Sequence, residues 1–359
     1  MQPSPAFWSG KQVGVTGGSG FLGWHVVQQL VSLGAKVRVL GLSPRRKHPL
    51  LRTTDVELIM GDVRDPVAVR SLATNSEVIF HIAGPVAVWG PALRRMREIH
   101  FEGTLAVLSA AHATCRVVHT SSVVAVGATR SGEPLTEESP FELATLRVDY
   151  VHAKREAEDL ALDAARRGQW VCVVNPAYLV GPEDFEPSVM GRLCRRFWKG
   201  RLLVAPQGGI NLVDVRDVAR GHILAAEHGQ PGRRYILGGE NRTLPDLFGM
   251  LSRIGGKTRL PFSLPWWILA VAAGLAECRA SLLQREPYPG LQHVRLNRYC
   301  WYFSSERAQR EIGYHYRPLA ETLRDTFAWF KERQRNPASR NVGWELESAT
   351  AFHSPVPAL

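Results

Sequence analysis

Tyr150 and Lys154 stand four residues apart in the stretch Tyr150-Val151-His152-Ala153-Lys154. On a helix that spacing puts a phenol and an ammonium on one face, one turn from each other. A free tyrosine ionises near pH ~10 and is no base at neutrality. A neighbouring positive charge favours the phenolate and lowers that value, so that Tyr150 can pass a proton to and from a hydroxyl or carbonyl oxygen. Earlier in the chain, Val117 to Thr120 reads as a strand running into Ser121-Ser122. A serine there can hydrogen-bond the same oxygen and hold it within reach of Tyr150; Ser122 is the first assignment and Ser121 the competing one. A Tyr-x-x-x-Lys spacing recurs by chance, so its weight comes from what precedes it. The other histidines, His119 and His152 among them, have no matching acid or nucleophile and read as satisfied bystanders.

What precedes it is a glycine turn, Thr16-Gly17-Gly18-Ser19-Gly20-Phe21-Leu22-Gly23, after the short run Val13-Gly14-Val15 and before an amphipathic stretch, Trp24 to Ser32. Gly17 permits the tight turn, Gly20 lets the backbone approach a pyrophosphate, and Gly23 lets helix and strand pack closely. The phosphates of a dinucleotide would lie on the helix N-terminus, whose N–H groups and dipole favour anions, with Ser19, Phe21 and Leu22 beside them. Tyr150 then moves the proton while a nicotinamide carries the hydride, and Lys154 holds the nicotinamide ribose. The second strand, Val37 to Leu40, ends in Gly41-Leu42 with no carboxylate for the adenosine ribose; Ser43, Arg45, Arg46 and Lys47 follow. Arginines suit an extra phosphate, so the loop predicts NADP(H) in preference to NAD(H), with Arg45 and Arg46 as its clamp. Asp62-Val63, after the third strand, is placed to meet the adenine. Ile82-Ala83-Gly84, after the fourth, would run its backbone along the cofactor.

These motifs need a frame. Short β-branched runs (Lys36 to Leu40, Val56 to Met60, Val78 to His81, Val117 to Thr120, Val171 to Asn175) alternate with helix-like stretches. That order predicts an α/β fold, a doubly wound parallel sheet with its ligand at the carboxyl ends of the strands. After Gly181-Pro182 proline, glycine and aromatic residues become denser and helical spacing dominates, which predicts a smaller, mainly helical substrate-binding region. The domains read as an extension over 1–10, a dinucleotide-binding unit over 11–180, a substrate region over 181–335 and a disordered tail over 336–359. A strand over 211–216 is expected to return to the first unit.

Composition narrows the function classes. With 45% hydrophobic and 21% charged residues, 359 residues can bury a sizeable core. The net charge of +11 raises the question of nucleic acid, but the cations are scattered and form no basic helix or stripe; a field favouring anionic ligands is the simpler account, and no nucleic-acid partner is predicted. Five cysteines (Cys115, Cys172, Cys194, Cys278, Cys300) lie far apart without a Cys-x-x-Cys pair, which fits a reducing, cytoplasmic compartment and speaks against structural zinc. The apolar run Leu264 to Ala276 is too short to span a bilayer. A buried helix is the ordinary fate of such a run; a weak peripheral membrane contact through Trp266 is the alternative.

Taken in order, TGGSGFLG, GDVRD, FHIAG, VVHTSS, YVHAK, NPAYLVGP and NLVDVRDVARGH resemble the extended short-chain dehydrogenase/reductase superfamily, and the likeness runs from about Lys11 to Arg333. Within it, the chain resembles the branch of dihydroflavonol 4-reductases, 3β-hydroxysteroid dehydrogenases and hopanoid-associated sugar epimerase-like proteins. The resemblance implies Ser122, Tyr150 and Lys154 as the catalytic set, Gly17, Gly20 and Gly23 at the pyrophosphate, Pro176 onward beside the nicotinamide, and a homodimer through paired helices. Three departures stand out. Ile210-Asn211 replace the Arg-Asp pair whose arginine grips nucleotide-sugar phosphates in related epimerases, Ser121-Ser122 replace the Asp-Glu of the dehydratases, and His100 opens a segment that commonly begins with Asn. The resulting expectation is an oxidoreductase moving a hydride between nicotinamide and a hydroxyl or keto group of a small, largely apolar substrate of flavonoid, steroid or isoprenoid type, its walls built from Phe262, Trp266 and Trp267. The alternative is a sugar or nucleotide-sugar epimerase with retained NAD.

Overall fold

A computed structural model describes residues 1–42, 48, 50, 55–87, 89–202, 204–205, 208–256, 260–283 and 290–335. The first half runs α1 (Pro5–Trp8), β1 (Gln12–Thr16), α2 (Phe21–Ser32), β2 (Lys36–Gly41), β3 (Val56–Met60), α3 (Pro66–Ala73), β4 (Val78–His81), α4 (Ala92–Ala110), β5 (Arg116–Thr120), α5 (Val123–Val126), α6 (Asp149–Arg166) and β6 (Val171–Pro176). The second half runs β7 (Tyr178–Val180), α7 (Val189–Trp198), β8 (Val204–Ala205), β9 (Gly209–Asp214), α8 (Val215–His228), β10 (Arg234–Leu237), β11 (Glu240–Thr243), α9 (Leu244–Gly255), β12 (Phe262–Ser263), α10 (Trp266–Leu283), α11 (Leu291–Leu296), β13 (Cys300–Trp301), α12 (Glu306–Ile312) and α13 (Leu319–Arg335).

Seven strands form one sheet in the order β10-β6-β5-β4-β1-β2-β3, every pairing parallel. This is the doubly wound α/β architecture that the alternation of strands and helices demands. A parallel sheet needs crossover helices on both faces, so its inner strands are largely apolar and do not alternate regularly with polar residues. β4 and β6 are buried along their whole length. Successive side chains still divide between the two helical layers. Val118, Cys172 and Val174 belong to the core shared with α2 and α8, while Val117, Val171 and Val173 belong to the core shared with α3, α4 and α6. The carboxyl ends of β1, β4 and β5 therefore converge on one edge, where Gly17, Ile82 and Ser121 leave the sheet.

Three expectations change in three dimensions. β9 does not enter the large sheet. It pairs antiparallel with β11 and parallel with β7 and β13 in a second, four-stranded sheet. The strand expected over 211–216 stops at Asp214, whose carboxylate accepts from Arg216 N and caps α8. The chain's return is made by α8, which packs on α2, and by β10, which pairs with β6 at the sheet edge. The first ten residues are no mere extension either. Trp8 is fully buried against Phe80 at 6.0 Å, its indole N–H donates to Glu227, and Ser4 N donates to the same carboxylate at 2.9 Å.

The third is the apolar run around Trp266. Helix α10 turns its small residues, Ala273 and Ala280, inward and leaves Trp266, Trp267, Val271 and Leu275 exposed, so it is not the buried helix that its composition suggests. No helix among the described residues is long and apolar enough to cross a membrane. The tail over 336–359 and the loop carrying Arg45 and Arg46 lie outside the described residues.

Trp8 ties the N-terminal turn to the core and satisfies a carboxylate at the end of α8. Trp8→Ala removes the ring and one of the donors to that carboxylate, so urea denaturation should show a loss of about 3–5 kcal/mol.

Candidate active site

The glycine turn is shaped by contacts that admit no side chain. Gly17 has φ +72°, and a Cβ there would lie 2.8 Å from the Ala83 backbone. A Cβ on Gly23 would overlap the Gly17 carbonyl, so α2 can begin this close to β1 only with glycine at that place. Gly20 is the N-cap of α2, with no side-chain cap and no acidic residue in the first turn. The helix thus offers its first N–H groups and positive end toward the sheet edge, uncontested by a carboxylate. Leu22 is buried beneath the turn, Phe21 sets its ring edge-on to His25 at 5.8 Å, and Ser19 lies by Gly41 at the end of β2. This cradle suits a dinucleotide pyrophosphate.

The loop after β4 is fastened to that turn. Thr16 Oγ1 accepts hydrogen bonds from Ile82 N and Ala83 N, both at 3.1 Å, and contacts His81 Nδ1 at 2.9 Å. His81 Nε2 meets Thr104 Oγ1 at 3.1 Å on α4. Gly84 rests directly on the His100 imidazole, where any Cβ would overlap the ring, and His100 Nε2 is 3.0 Å from the Pro85 carbonyl. The other edge of His100 faces the Tyr150 ring at 6.0 Å. Contacts therefore run unbroken from the glycine turn through Ala83, Gly84 and His100 to Tyr150. Asp62 is held at both carboxylate oxygens by Arg64, which keeps it below the usual carboxylate range. Val63 fills the notch left by Gly103, and Pro176 ends β6 opposite Leu237.

On α6, Tyr150 and Lys154 share one face as the spacing requires. Lys154 is buried and its Nζ donates to the Thr120 carbonyl at 3.0 Å, which pins α6 to the end of β5. Of the two serines, Ser122 is the one that acts on the Tyr150 phenol, and its hydroxyl also caps α5. Ser121 instead locks its backbone to Val174 at 2.8 Å, and its buried Oγ has no partner among the described residues. Ser122 is held from behind. Asn175 Nδ2 donates to its carbonyl at 3.1 Å and to Glu158 Oε2 at 2.6 Å, and Arg234 completes the buried network on Glu158 at 3.0 Å.

The electrostatics differ from the simple expectation. Burial pushes the Tyr150 phenol up to about 12, and the Ser122 hydrogen bond offsets this only in part. Lys154 does not lower the phenol as the spacing alone suggested, because burial penalises both charges and pushes Lys154 itself down to about 8, with Glu158 opposing the shift. Three neutral imidazoles surround it. Burial, reinforced by the Lys154 charge, takes His81 down to about 3 and His100 and His119 well below their ordinary value. His119 is no satisfied bystander: both ring nitrogens are buried without a partner among the described residues, 5.4 Å from His81. His152 does satisfy itself, on the Leu146 carbonyl at 2.6 Å. Sequence reasoning also passed over Tyr178, a phenol whose ionisation burial and the nearby Tyr150 both oppose. No spacing signal marks Tyr178 or His100, because each reaches Tyr150 from a separate element.

The profile of the NAD dependent epimerase/dehydratase family matches residues 13–238. The chain belongs to that family. Its members include proteins of varied name at similar distance. The chain is 32% identical to the Sterol demethylase protein B of Methylococcus capsulatus, over 89% of this chain and 98% of that one. It is 31% identical to a Synechocystis sp. protein that carries a provisional dihydroflavonol 4-reductase name, over 88% of this chain and 94% of the other. Among solved structures, gox2253 superposes with a TM-score of 0.78 at 32% identity, covering 90% of this chain and 98% of that one. No single branch stands out, so the family shows an NAD(P)-dependent oxidoreductase or epimerase without naming the substrate. The expected NADP(H) preference is not upheld: three solved structures alike in fold, at 14–19% identity, hold NAD, among them the Bordetella bronchiseptica enzyme WbmH (19% identity, TM-score 0.70, covering 90% of this chain and 99% of that one). Arg45 and Arg46, on which that preference rested, lie outside the described residues.

Two measurements probe this geometry. Gly84→Ala drives a methyl into the His100 ring, so the loop must shift; calorimetry should show NAD binding weakened about tenfold or more with the thermal midpoint little changed. Lys154 releases its proton near pH 8 when folded but only near ~10.4 when unfolded, so the unfolded chain binds more protons in between. Stability should rise with pH across that window, by about 1–3 kcal/mol relative to Lys154→Met, in paired urea titrations at its two ends.

Proposed function

We propose that the protein is a redox-neutral epimerase: it oxidises a secondary hydroxyl of a sugar-type substrate with retained NAD and returns the hydride to the resulting ketone. The observation that carries this reading is buried Lys154, fastened to the end of β5 one helical turn from Tyr150, whose ring is joined through His100 and Gly84 to the glycine turn. The family match and the solved relatives named as epimerases support it, among them the UDP-glucose 4-epimerase of Thermotoga maritima, alike in fold at a TM-score of 0.69.

In this reading Gly17, Gly20 and Gly23 hold the pyrophosphate on the end of α2. Ser19, Phe21 and Leu22 shape that turn, Asp62 and Val63 border the adenine, and Ala83, Gly84 and Pro176 line the path of the nicotinamide half. Bound NAD supplies the hydride acceptor and a second positive charge near the phenol. Ser122 and Tyr150 fix the substrate oxygen between two hydroxyls, which orients the carbinol. Tyr150 takes the hydroxyl proton as phenolate and returns it as phenol; the positive charge of bound NAD would favour the phenolate that burial opposes, while Lys154 holds α6 against the end of β5. The substrate carries no nucleotide for this protein to grip at Ile210-Asn211: Asn211 is fully buried and spends its amide on Gly239 and Asn241. A homodimer through paired helices, as the resemblance implies, accompanies this reading.

A second reading, a dehydrogenase or reductase acting on a flavonoid-, steroid- or isoprenoid-like substrate, draws on the relatives bearing sterol names, because the same three residues serve both reactions. Heat-denatured protein should release near-stoichiometric NAD, and a sugar panel should interconvert with no lasting absorbance at 340 nm. Protein free of nucleotide that accumulates NADH from a sterol or flavonoid substrate would decide for the second reading. Tyr150→Phe should cut turnover by about 10²–10⁴ while leaving NAD affinity within about threefold.

A further inference from the structure

Helix α10 is apolar on nearly every side, and its packing is inverted by size. Its inner face is made of small residues, with Ala273 and Ala280 buried, while its large ones face away from the protein. Trp267, Val271, Leu275, Cys278 and Leu282 follow one another at steps of four, four, three and four residues, which is one stripe along a helix. All five are exposed, Leu275 at 69% and Leu282 at 85%. At ~1.5 Å per residue the stripe is roughly 22 Å long. It widens at its N-terminal end, where Trp266, Phe262, Leu260 and Val204 are also exposed beside the pairing of β12 with β8. Soluble monomers rarely leave so large a contiguous apolar surface in water.

The sequence segments that pair beside this surface are rich in cations and poor in acids. From residue 189 to 213 the chain carries Arg192, Arg195, Arg196, Lys199 and Arg201 and no Asp or Glu. From 247 to 305 it carries seven Arg and Lys against Glu277 and Glu286 alone. β8 and β12 bring these two acid-poor segments together, and Arg298 lies over the Trp266 ring at 4.3 Å. A stripe of large apolar residues, tryptophans at one end and a cationic surround is the chemistry of a helix lying in an anionic lipid interface.

We propose that the exposed face of α10, with Trp266 and Phe262, docks the protein onto an anionic lipid surface without crossing it. The face is also coupled to the active site. α10 packs on α11, where Gln292 Nε2 donates to Asp149 Oδ2 at 3.1 Å and Arg295 donates to the Arg147 carbonyl at 2.9 Å. Asp149 immediately precedes Tyr150, so the docked helix and the proton-carrying phenol are separated by one helix and one hydrogen bond.

Flotation of the full chain with phosphatidylglycerol–phosphatidylcholine vesicles, against phosphatidylcholine alone, tests the docking without any assay of turnover. The protein should float with the anionic vesicles, be released by high salt, and shift its tryptophan emission to shorter wavelength on binding. Leu275→Glu and Val271→Glu alter exposed positions, so each should reduce the floated fraction about tenfold with unchanged unfolding midpoint, NAD affinity and solution mass. The proposal is overturned if the protein stays with the soluble fraction in both mixtures, or if both variants float as well as the parent. It is equally overturned if vesicles are ignored and Leu275→Glu lowers the sedimentation mass, for then a second copy of the chain covers the face.

Discussion

The ammonium of Lys154, taken out of water and set 3.0 Å from the Thr120 carbonyl, is the contact on which the site is built. It joins the first turns of α6 to the carboxyl end of β5, and so places Tyr150 beside Ser122. An unpaired buried cation is costly, and here the cost is met from two directions. The Thr120 carbonyl accepts directly, and the Glu158 carboxylate favours the charged form from the next turn of the same helix. Glu158 is in turn committed to Asn175 and Arg234, so the network that steadies the ammonium also steadies the backbone of Ser122. Position and charge are determined by one set of bonds.

The same low-dielectric setting explains why the phenol is not activated by spacing alone. Burial acts on Tyr150 and Lys154 in opposite directions, making both more nearly neutral, and a charge one turn away does not outweigh it. The ring of neutral histidines follows from the same cause. His81, His100 and His119 cannot easily acquire charge next to a buried ammonium, so they serve as hydrogen-bonding and packing elements. Of these, His100 has the clearest mechanical role. It takes the weight of the Gly84 backbone on one side and meets the Tyr150 ring on the other, which makes it the link between the nucleotide cradle and the proton carrier.

The molecule also shows a division of labour between its two larger sheets. The parallel sheet is buried on both faces and carries the chemistry at one edge. The smaller four-stranded sheet turns Asn211 inward to satisfy backbone groups of Gly239 and a side chain of β11. Helix α10, hung beyond that sheet, spends its small residues on packing and leaves its large ones outside.

Local pattern alone determined the strand–turn–helix at Gly17, the buried apolar runs of the parallel sheet and the one-turn spacing of Tyr150 and Lys154, because each is a property of a few adjacent residues. Steric necessity makes the glycines legible: Gly23 admits no Cβ against the Gly17 carbonyl, whatever the rest of the chain does. Tertiary structure alone decided which serine faces the phenol, that β9 belongs to the second sheet, and that His100, Tyr178 and Gly84 meet around Tyr150. Those outcomes depend on pairings between segments far apart in sequence. The exposure of α10 is of the same kind: composition reports that its residues are apolar, but only packing against neighbours decides whether the alanines or the large side chains point inward.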